Sequence, residues 1–208
     1  MQNDRPGSGK RARRVLLCAS GAYVAYSLPG FVLHLLRHFA DDVRVVLSRS
    51  AAKLVSAYAV EVASRNRVFV EMDDRSEDVY VPHIELGRDV DLIVAYPATV
   101  NLLGKVANGI ADELISALII AAEVPVLFVP IANPSMIDHP AVRRNIDRLQ
   151  ADGYKVLPPL TGPEVATRER MESMGDFPFP TLLVQMAAVL ADAKGRGVTR
   201  SGLKGASG

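Results

Sequence analysis

The fold is decided by residues 81–112, whose sequence is VPHIELGRDVDLIVAYPATVNLLGKVANGIAD. Residues 91–95 form a short apolar run with β-branched members, which indicates a buried strand. Pro97 is expected to end that strand, and the apolar pattern that follows predicts a helix. In an open parallel sheet such a junction lies at the carboxyl end of a strand, where small residues and helix amides admit an anionic ligand. His83 lies just upstream, so we expect its side chain, the Asn101 amide and the small-residue turn to converge on one pocket.

The alternation of strand and helix recurs along the whole chain. The other predicted strands are residues 15–19, 43–47, 68–70, 124–129 and 155–157, and the predicted helices are 23–39, 51–58, 102–107, 110–122, 136–151 and 181–193. This order predicts an α/β, Rossmann-like three-layer fold with a mostly parallel sheet. The first strand is not followed by Gly-x-Gly-x-x-Gly, which argues against an ordinary nicotinamide dehydrogenase.

Composition predicts one domain and excludes several partners. The chain has 208 residues and is 49% hydrophobic, enough for one substantial core and short for two. We expect a polar, basic tail at 1–13, a single domain at 14–193 and a Gly- and Ser-rich tail at 194–208, with residues 158–180 as a possible substrate lid. The net charge of +1 gives no field that would attract nucleic acid or an anionic membrane.

No apolar run approaches the length of a membrane span, and no signal-peptide core follows the basic amino terminus, so the expected location is the cytoplasm. Cys18 is the only cysteine, which excludes an intramolecular disulfide and a cysteine-based metal cluster. The acidic loop at 73–78 does not have the spacing of a calcium loop. The sequence therefore predicts no metal site.

Two motifs carry a family resemblance. In order along the chain, His83-Ile84, Asp91, Pro97-Ala98-Thr99-Val100-Asn101 and residues 105–114 resemble the core signature of the homo-oligomeric flavin-containing cysteine decarboxylases. A second signature of that family is similar to residues 130–137, which keep Asn133 and Met136 but have Ala132 and Ile137 where methionine and tryptophan are usual. The resemblance covers about residues 14–160.

The resemblance implies FMN as the cofactor, bound between the subunits of a trimer that often assembles further into a dodecamer. The residues it assigns to the cofactor are Ser20, Gly21, Ala22, Ser48, Ser50, Pro97, Ala98, Thr99 and Asn101. From the residues alone, a Ser-Gly turn after a strand is also compatible with an ordinary βα connection, and Ser50 with a simple helix N-cap. Gly21 would let backbone amides approach a phosphate closely.

The implied chemistry is oxidative decarboxylation of a cysteine. A flavin that takes a hydride from the cysteine β-carbon leaves a thioaldehyde, which accepts the electrons of the departing carboxylate and becomes an enethiolate. His83 is the candidate base for the thiol proton. Asn101 and Asn133 are candidate donors to the substrate carboxylate or to a flavin carbonyl, and Met136 is expected to pack beside the site.

The family member is suggested by the missing second cysteine. Phosphopantothenoylcysteine decarboxylases use a later cysteine to help reduce the enethiolate, and no cysteine follows Cys18. The chain therefore most resembles the peptidyl-cysteine decarboxylases of lanthipeptide biosynthesis, whose product forms an S-aminovinyl-cysteine ring. The implied partners are a precursor peptide with a C-terminal cysteine and a lanthipeptide dehydratase or cyclase. The alternatives are a phosphopantothenoylcysteine decarboxylase of coenzyme A synthesis, a flavin prenyltransferase and a non-catalytic flavin-binding regulatory subunit.

Overall fold

The computed structural model describes residues 13–76, 79–158 and 179–195. Nearly all of the two predicted tails and of the predicted lid at 158–180 lies outside these residues. Within the described ranges, no helix is both long and apolar enough to cross a membrane.

A parallel sheet of six strands forms the middle layer. The strands are β1 Arg14–Ala19, β2 Asp42–Leu47, β3 Val68–Phe69, β4 Leu92–Ala98, β5 Val126–Pro130 and β6 Lys155–Val156. Their order across the sheet is β3-β2-β1-β4-β5-β6, and every neighbouring pair is parallel. β4 and β5 are buried along their whole length, as expected for strands covered on both faces. The predicted three-layer α/β fold is confirmed.

Helices cover both faces of the sheet. They are α1 Leu28–His38, α2 Ala57–Ser64, α3 Pro82–Arg88, α4 Val100–Ala107, α5 Leu114–Ile120, α6 Pro134–Ile137, α7 Pro140–Ala151 and α8 Phe179–Gly195. One face packs α1, α2 and α8 through residues such as Phe31, Val60 and Met186. The other face packs α3, α4, α5 and α7 through residues such as Leu86 and Leu149. Successive residues of β1 alternate between the two cores, which is the side-chain period of a strand.

The predicted helix at 51–58 is wrong. The chain forms a short 3-10 helix at Ala51–Lys53 and starts α2 separately at Ala57. The reason is local capping, because the Ser56 hydroxyl accepts a hydrogen bond from the Ala59 amide and fixes a new helix start.

Three other predicted elements are shorter or divided. The helix expected at 23–39 is a 3-10 helix, Tyr23–Ser27, followed by α1, with Pro29 in the first turn of α1. The helix expected at 110–122 begins only at Leu114, because Glu113 and Ser116 form a capping box there. The helix expected at 136–151 is split into α6 and α7, because the His139 Nδ1 accepts the Ala141 amide and caps α7.

Candidate active site

The predicted cofactor and substrate residues lie at the carboxyl ends of four adjacent strands. Residues 20–22 follow β1, residues 48–50 follow β2, residues 97–101 end β4 and begin α4, and residues 133–136 follow β5. Because β2, β1, β4 and β5 are neighbours in a parallel sheet, these turns share one edge. This is where ligands bind in open α/β sheets.

Ser20 ties the end of β1 to the end of β4. Its hydroxyl donates to the Pro97 carbonyl and accepts from the Thr99 amide, both at 2.8 Å, and its own amide donates to the same Pro97 carbonyl at 3.0 Å. Ser20 is only 5% exposed. With these bonds in place, β4 continues through Pro97 and ends at Ala98, so the prediction that Pro97 ends the strand is wrong. The Tyr96–Pro97 peptide bond is cis. The Ser20 hydroxyl proton is already donated, so this side chain sets the shape of the edge.

Gly21 and Ser50 bring the turns after β1 and β2 into contact. A β-carbon at position 21 would collide with the Ser50 β-carbon and lie 3.2 Å and 3.3 Å from the Ser50 carbonyl carbon and α-carbon. Only glycine fits this approach without displacing one of the loops. Packing against Ser50 therefore requires glycine at position 21, independently of any requirement from a bound ligand.

Ser48 and Ser50 do not point the same way, as an extended segment would require. Ser48 is buried and its hydroxyl accepts from the Ala51 amide at 3.1 Å, whereas Ser50 is exposed with helical dihedral angles. Ser50 occupies the N-cap position of the 3-10 helix but makes no side-chain capping bond, so the interpretation of Ser50 as the cap is wrong. The exposed hydroxyl of Ser50 is the one available to a ligand.

The amino terminus of α4 opens onto the same edge. The Thr99 hydroxyl accepts from the Leu102 amide and caps the helix. The amides of Val100 and Asn101 have no acceptor within the helix, because they belong to its first turn. The Asn101 side chain is exposed. First-turn amides and the helix dipole favour an anion at this position.

Asn133 reaches the same region from β5. The Ile131 amide donates to the Ala98 carbonyl at 3.0 Å, which holds the loop after β5 beside the end of β4. Asn133 is the N-cap residue of α6, yet its side chain makes no capping bond. Met136 follows on α6 and is 44% exposed. An amide and a flexible apolar side chain thus lie next to the β4 turn.

Lys105 fixes the second half of the 105–114 motif. Its Nζ lies 2.9 Å from both the Asp112 and the Glu113 carboxylate oxygens. The hydrogen bond from Lys105 lowers the pKa of Asp112, and the same bond raises the pKa of Lys105. This ion cluster closes the loop between α4 and α5, so this part of the motif has a structural role.

His83 lies in the first turn of α3, in the helical layer over the sheet. It is the second residue of α3, and its Nδ1 is buried without a hydrogen-bond partner among the described residues. Its side chain lines a groove of about 370 Å³ between α3 and the end of α5, with Ile84, Leu118 and Val124. None of the other predicted site residues lines this groove. The convergence of His83, Asn101 and the small-residue turn on one pocket stays a prediction.

The Cys18 thiol is unreactive in the folded chain. It lies in the middle of β1, is fully buried, and has no disulfide partner. Burial raises the pKa of its thiol from 9.0 to about 12. A thiol must ionise to act as a nucleophile, and this one stays protonated at neutral pH.

The family model described as Flavoprotein matches residues 4–187. The chain belongs to the Flavoprotein family. The match spans the sheet, both helical layers and every predicted site residue.

Relatives of this flavoprotein include cysteine decarboxylases of two kinds. It is 38% identical over 150 residues to the coenzyme A biosynthesis bifunctional protein CoaBC of Bacillus subtilis (strain 168), covering 72% of this chain but only 37% of that protein. It is 30% identical over 149 residues to a probable phosphopantothenoylcysteine decarboxylase of Streptococcus mutans, covering 71% of this chain and 83% of that protein. Among solved structures, the FMN-dependent cysteine decarboxylase SpaF superposes with a TM-score of 0.74 at 30% identity, covering 88% of this chain and 97% of SpaF. These matches confirm two predictions, that the protein is an enzyme of the flavoprotein family and that its cofactor is FMN.

The residues at the sheet edge of this flavoprotein fit FMN. The Gly21 turn leaves no room for a side chain, the α4 amino terminus offers amides to a phosphate, and Ser50 is an exposed hydroxyl beside them.

Sequence reasoning missed one role and one residue of this region. Thr99 was expected only as a cofactor contact, and it is also the cap of α4. Glu85 was not singled out, although its carboxylate accepts both the Tyr80 and the Val81 amides just before His83. An acidic residue in the first turn of a helix is the sequence signal for such a contact.

Proposed function

We propose that this flavoprotein oxidatively decarboxylates the C-terminal cysteine of a ribosomally made precursor peptide, with FMN as the hydride acceptor. The product is an enethiol that can close an S-aminovinyl-cysteine ring in lanthipeptide biosynthesis. The expected partners are the precursor peptide and a lanthipeptide dehydratase or cyclase. SpaF supports the reaction class, because this chain covers 97% of it.

The burial of Cys18 is the observation that favours the oxidised enethiol as the product. Cys18 is the only cysteine of the 208 residues, and it is buried in β1 with a thiol pKa of about 12. Returning the two electrons from the reduced flavin to the enethiol would also require a proton at the substrate, and the resemblance gives that assisting role to a second cysteine that can reach the substrate. No such thiol exists in this sequence, so the oxidised product is released.

The chain supplies proton handling and orientation. FMN, when bound, accepts a hydride from the cysteine β-carbon and so creates the electron sink that decarboxylation needs. His83 takes the thiol proton, which leaves electron density on sulfur. Asn101 and Asn133 donate hydrogen bonds to the substrate carboxylate, and neither side chain is charged. A fixed positive charge at this position would stabilise the carboxylate and so oppose loss of carbon dioxide. Met136 packs against the substrate.

The proposed assembly is a homotrimer that can build a dodecamer. In one chain none of the residues proposed to hold the cofactor lines the His83 groove. A neighbouring copy that presents its His83 to this edge would complete the site. Ser20, Gly21, Ala22, Ser48, Ser50, Pro97, Ala98 and Thr99 are the residues proposed to hold the cofactor at that edge.

Phosphopantothenoylcysteine is the second candidate substrate. The CoaBC protein of Bacillus subtilis has 38% identity to this chain, although the chain spans only 37% of its length. The probable decarboxylase of Streptococcus mutans is matched over 83% of its length. These relatives favour decarboxylation of the small molecule, and SpaF, described as an FMN-dependent cysteine decarboxylase, is compatible with either substrate.

Mass spectrometry separates the candidates. Purified protein with FMN is incubated in parallel with a synthetic peptide ending in cysteine, with the same peptide ending in serine, and with phosphopantothenoylcysteine. Loss of carbon dioxide and two hydrogens from the cysteine peptide alone is the expected result. Turnover confined to phosphopantothenoylcysteine would move the chain to coenzyme A synthesis. FMN binding without turnover of any of the three would favour a regulatory flavin-binding subunit.

A further inference from the structure

Glu85 forms a clamp around the residue that carries the proposed base. Its two carboxylate oxygens accept the Tyr80 amide at 2.9 Å and the Val81 amide at 3.1 Å. The Val81 carbonyl in turn accepts the Ile84 and Glu85 amides at 3.0 Å and 2.9 Å. These bonds close a ring of contacts around Pro82 and His83, which lie between the clamped residues.

Pro82 strengthens the clamp. It is the first residue of α3, it is buried, and its ring fixes its own backbone angle. The backbone of His83 is therefore held on one side by Pro82 and on the other by the first turn that Glu85 closes. α3 has only seven residues, too few to be a stable helix without tertiary contacts and capping.

The ring of His83 has no orienting partner of its own. Histidines that act in catalysis usually have one ring nitrogen bonded to a carboxylate or a carbonyl, which fixes ring and tautomer. In His83 the Nδ1 is buried and unpartnered within the described residues. The position of the ring must then come from its backbone and from packing in the groove with Ile84 and Leu118.

We propose that Glu85 is a positioning residue for His83, acting through the backbone of residues 80–83 and not through the imidazole ring. The inference rests on the proposed role of His83 as the base that removes the substrate thiol proton. The clamp keeps the base at a fixed distance from that proton. Displacing a reacting group by about an ångström costs up to about a hundredfold in rate.

The test compares Glu85→Gln and Glu85→Ala with the unchanged protein, using a peptide ending in cysteine. The Glu85→Gln variant keeps one acceptor oxygen and loses the other, so an intermediate effect is expected. In Glu85→Ala, kcat should fall by about tenfold to a hundredfold. KM for the peptide and the affinity for FMN, followed by flavin fluorescence, should stay within about twofold, because Glu85 lines neither proposed binding site.

Glu61 provides a matched control. Its carboxylate also accepts a backbone amide, that of Val68 at 3.0 Å, but it does so at the start of β3 and far along the chain from His83. Glu61→Ala should lower thermal stability without changing kcat. Equal losses of kcat in the Glu61→Ala and Glu85→Ala variants would overturn the proposal, since the loss would then reflect general destabilisation.

The mode of action has its own readout. If Glu85 acts through the backbone, the acid limb of the kcat/KM profile keeps its midpoint in Glu85→Gln while its plateau drops. A shift of the midpoint would mean that the carboxylate acts on the ring electrostatically, which contradicts the proposal. Hydrogen exchange of the Tyr80 and Val81 amides should rise in Glu85→Ala, and unchanged exchange would also overturn it. The hydrogen-exchange measurement can be made even if the unchanged protein turns over no cysteine substrate. Absence of turnover in the unchanged protein would refute only the proposed function.

Discussion

Gly21 lies so close to Ser50 that a β-carbon at position 21 would collide with the Ser50 side chain. The contact joins the turn after β1 to the turn after β2 at the edge proposed to hold the FMN phosphate. Overpacking a tight contact costs about 1–3 kcal/mol, and here the strain would fall on a ligand-binding loop. We therefore expect Gly21→Ala to weaken FMN binding by at least about tenfold, since about 1.4 kcal/mol corresponds to a factor of ten.

Flavin fluorescence titration measures this effect. Gly30→Ala is the control, because a β-carbon at Gly30 of α1 meets nothing within 4 Å and alanine is a better helix former. The Gly30→Ala variant should bind FMN normally and unfold at the same or a slightly higher temperature. Normal FMN affinity in Gly21→Ala would show that the two turns can separate without harm to the site.

Ser20→Ala should loosen the same edge from the β4 side. The substitution removes the bond to the Pro97 carbonyl and leaves the Thr99 amide without its acceptor. Leaving a buried donor unpaired costs about 1–3 kcal/mol, and the amino terminus of α4 should shift with it. We expect both lower stability, measured by urea denaturation, and weaker FMN binding.

Ser56→Ala is the comparison for Ser20→Ala. Ser56 also accepts a backbone amide, as the cap of α2, but it is exposed and outside the proposed site. Its loss should cost about 1 kcal/mol of stability and leave FMN affinity unchanged. An identical loss of FMN affinity in both variants would mean that binding follows overall stability and not the β1–β4 link.

The strand pattern of the sequence was enough to predict the sheet, but not the interactions between its turns. Short apolar runs identified all six strands, and the run is apolar throughout in β4 and β5, which are covered on both faces. Helix boundaries were harder, because Ser56, Glu113 and His139 each start a new helix by a side-chain contact that apolar periodicity does not reveal. The packing of Gly21 on Ser50 joins positions far apart in sequence, so no local pattern could indicate it.

His83 shows a second limit of the sequence. The motif marks the residue, and its place before β4 suggested one shared pocket with Asn101. The folded chain puts His83 in a groove with α5, because α3 packs on α5 in the layer over the sheet. Local spacing indicates which strand a residue precedes, and helix packing decides which groove it enters.

His83→Asn should separate binding from chemistry. Asparagine keeps a polar side chain but cannot take up a proton near neutral pH, so the proposed thiol deprotonation is lost. We expect kcat to fall by about a hundredfold or more, in line with loss of a general base, while FMN affinity stays unchanged. His38→Asn, at an exposed position near the end of α1, should leave both quantities intact. Full turnover in His83→Asn would require another base.

Alkaline pH should destabilise the fold through two buried acids. Burial raises the pKa of Cys18 from 9.0 to about 12, and burial is also the main cause that raises the pKa of Tyr96 from 10.0 to about 12. The unfolded chain therefore loses these protons at a lower pH than the folded chain does. By linkage, the free energy of unfolding falls as pH rises above 9 and stops falling near 12, with each group contributing at most about 1.4 kcal/mol per pH unit.

The contribution of Cys18 can be isolated with Cys18→Ala. Lysines also titrate at high pH, so the quantity to follow is the difference in unfolding free energy between the unchanged protein and the variant, from urea denaturation. Between about pH 8 and about pH 10.5, the unfolding free energy of the unchanged protein should fall by about 2 kcal/mol relative to that of the variant, because only the unchanged protein carries the thiol. A difference that is constant over this range would mean that the thiol ionises equally easily in the folded chain. The thiol would then be accessible, and the argument that this flavoprotein has no cysteine able to assist reduction of its product would fail.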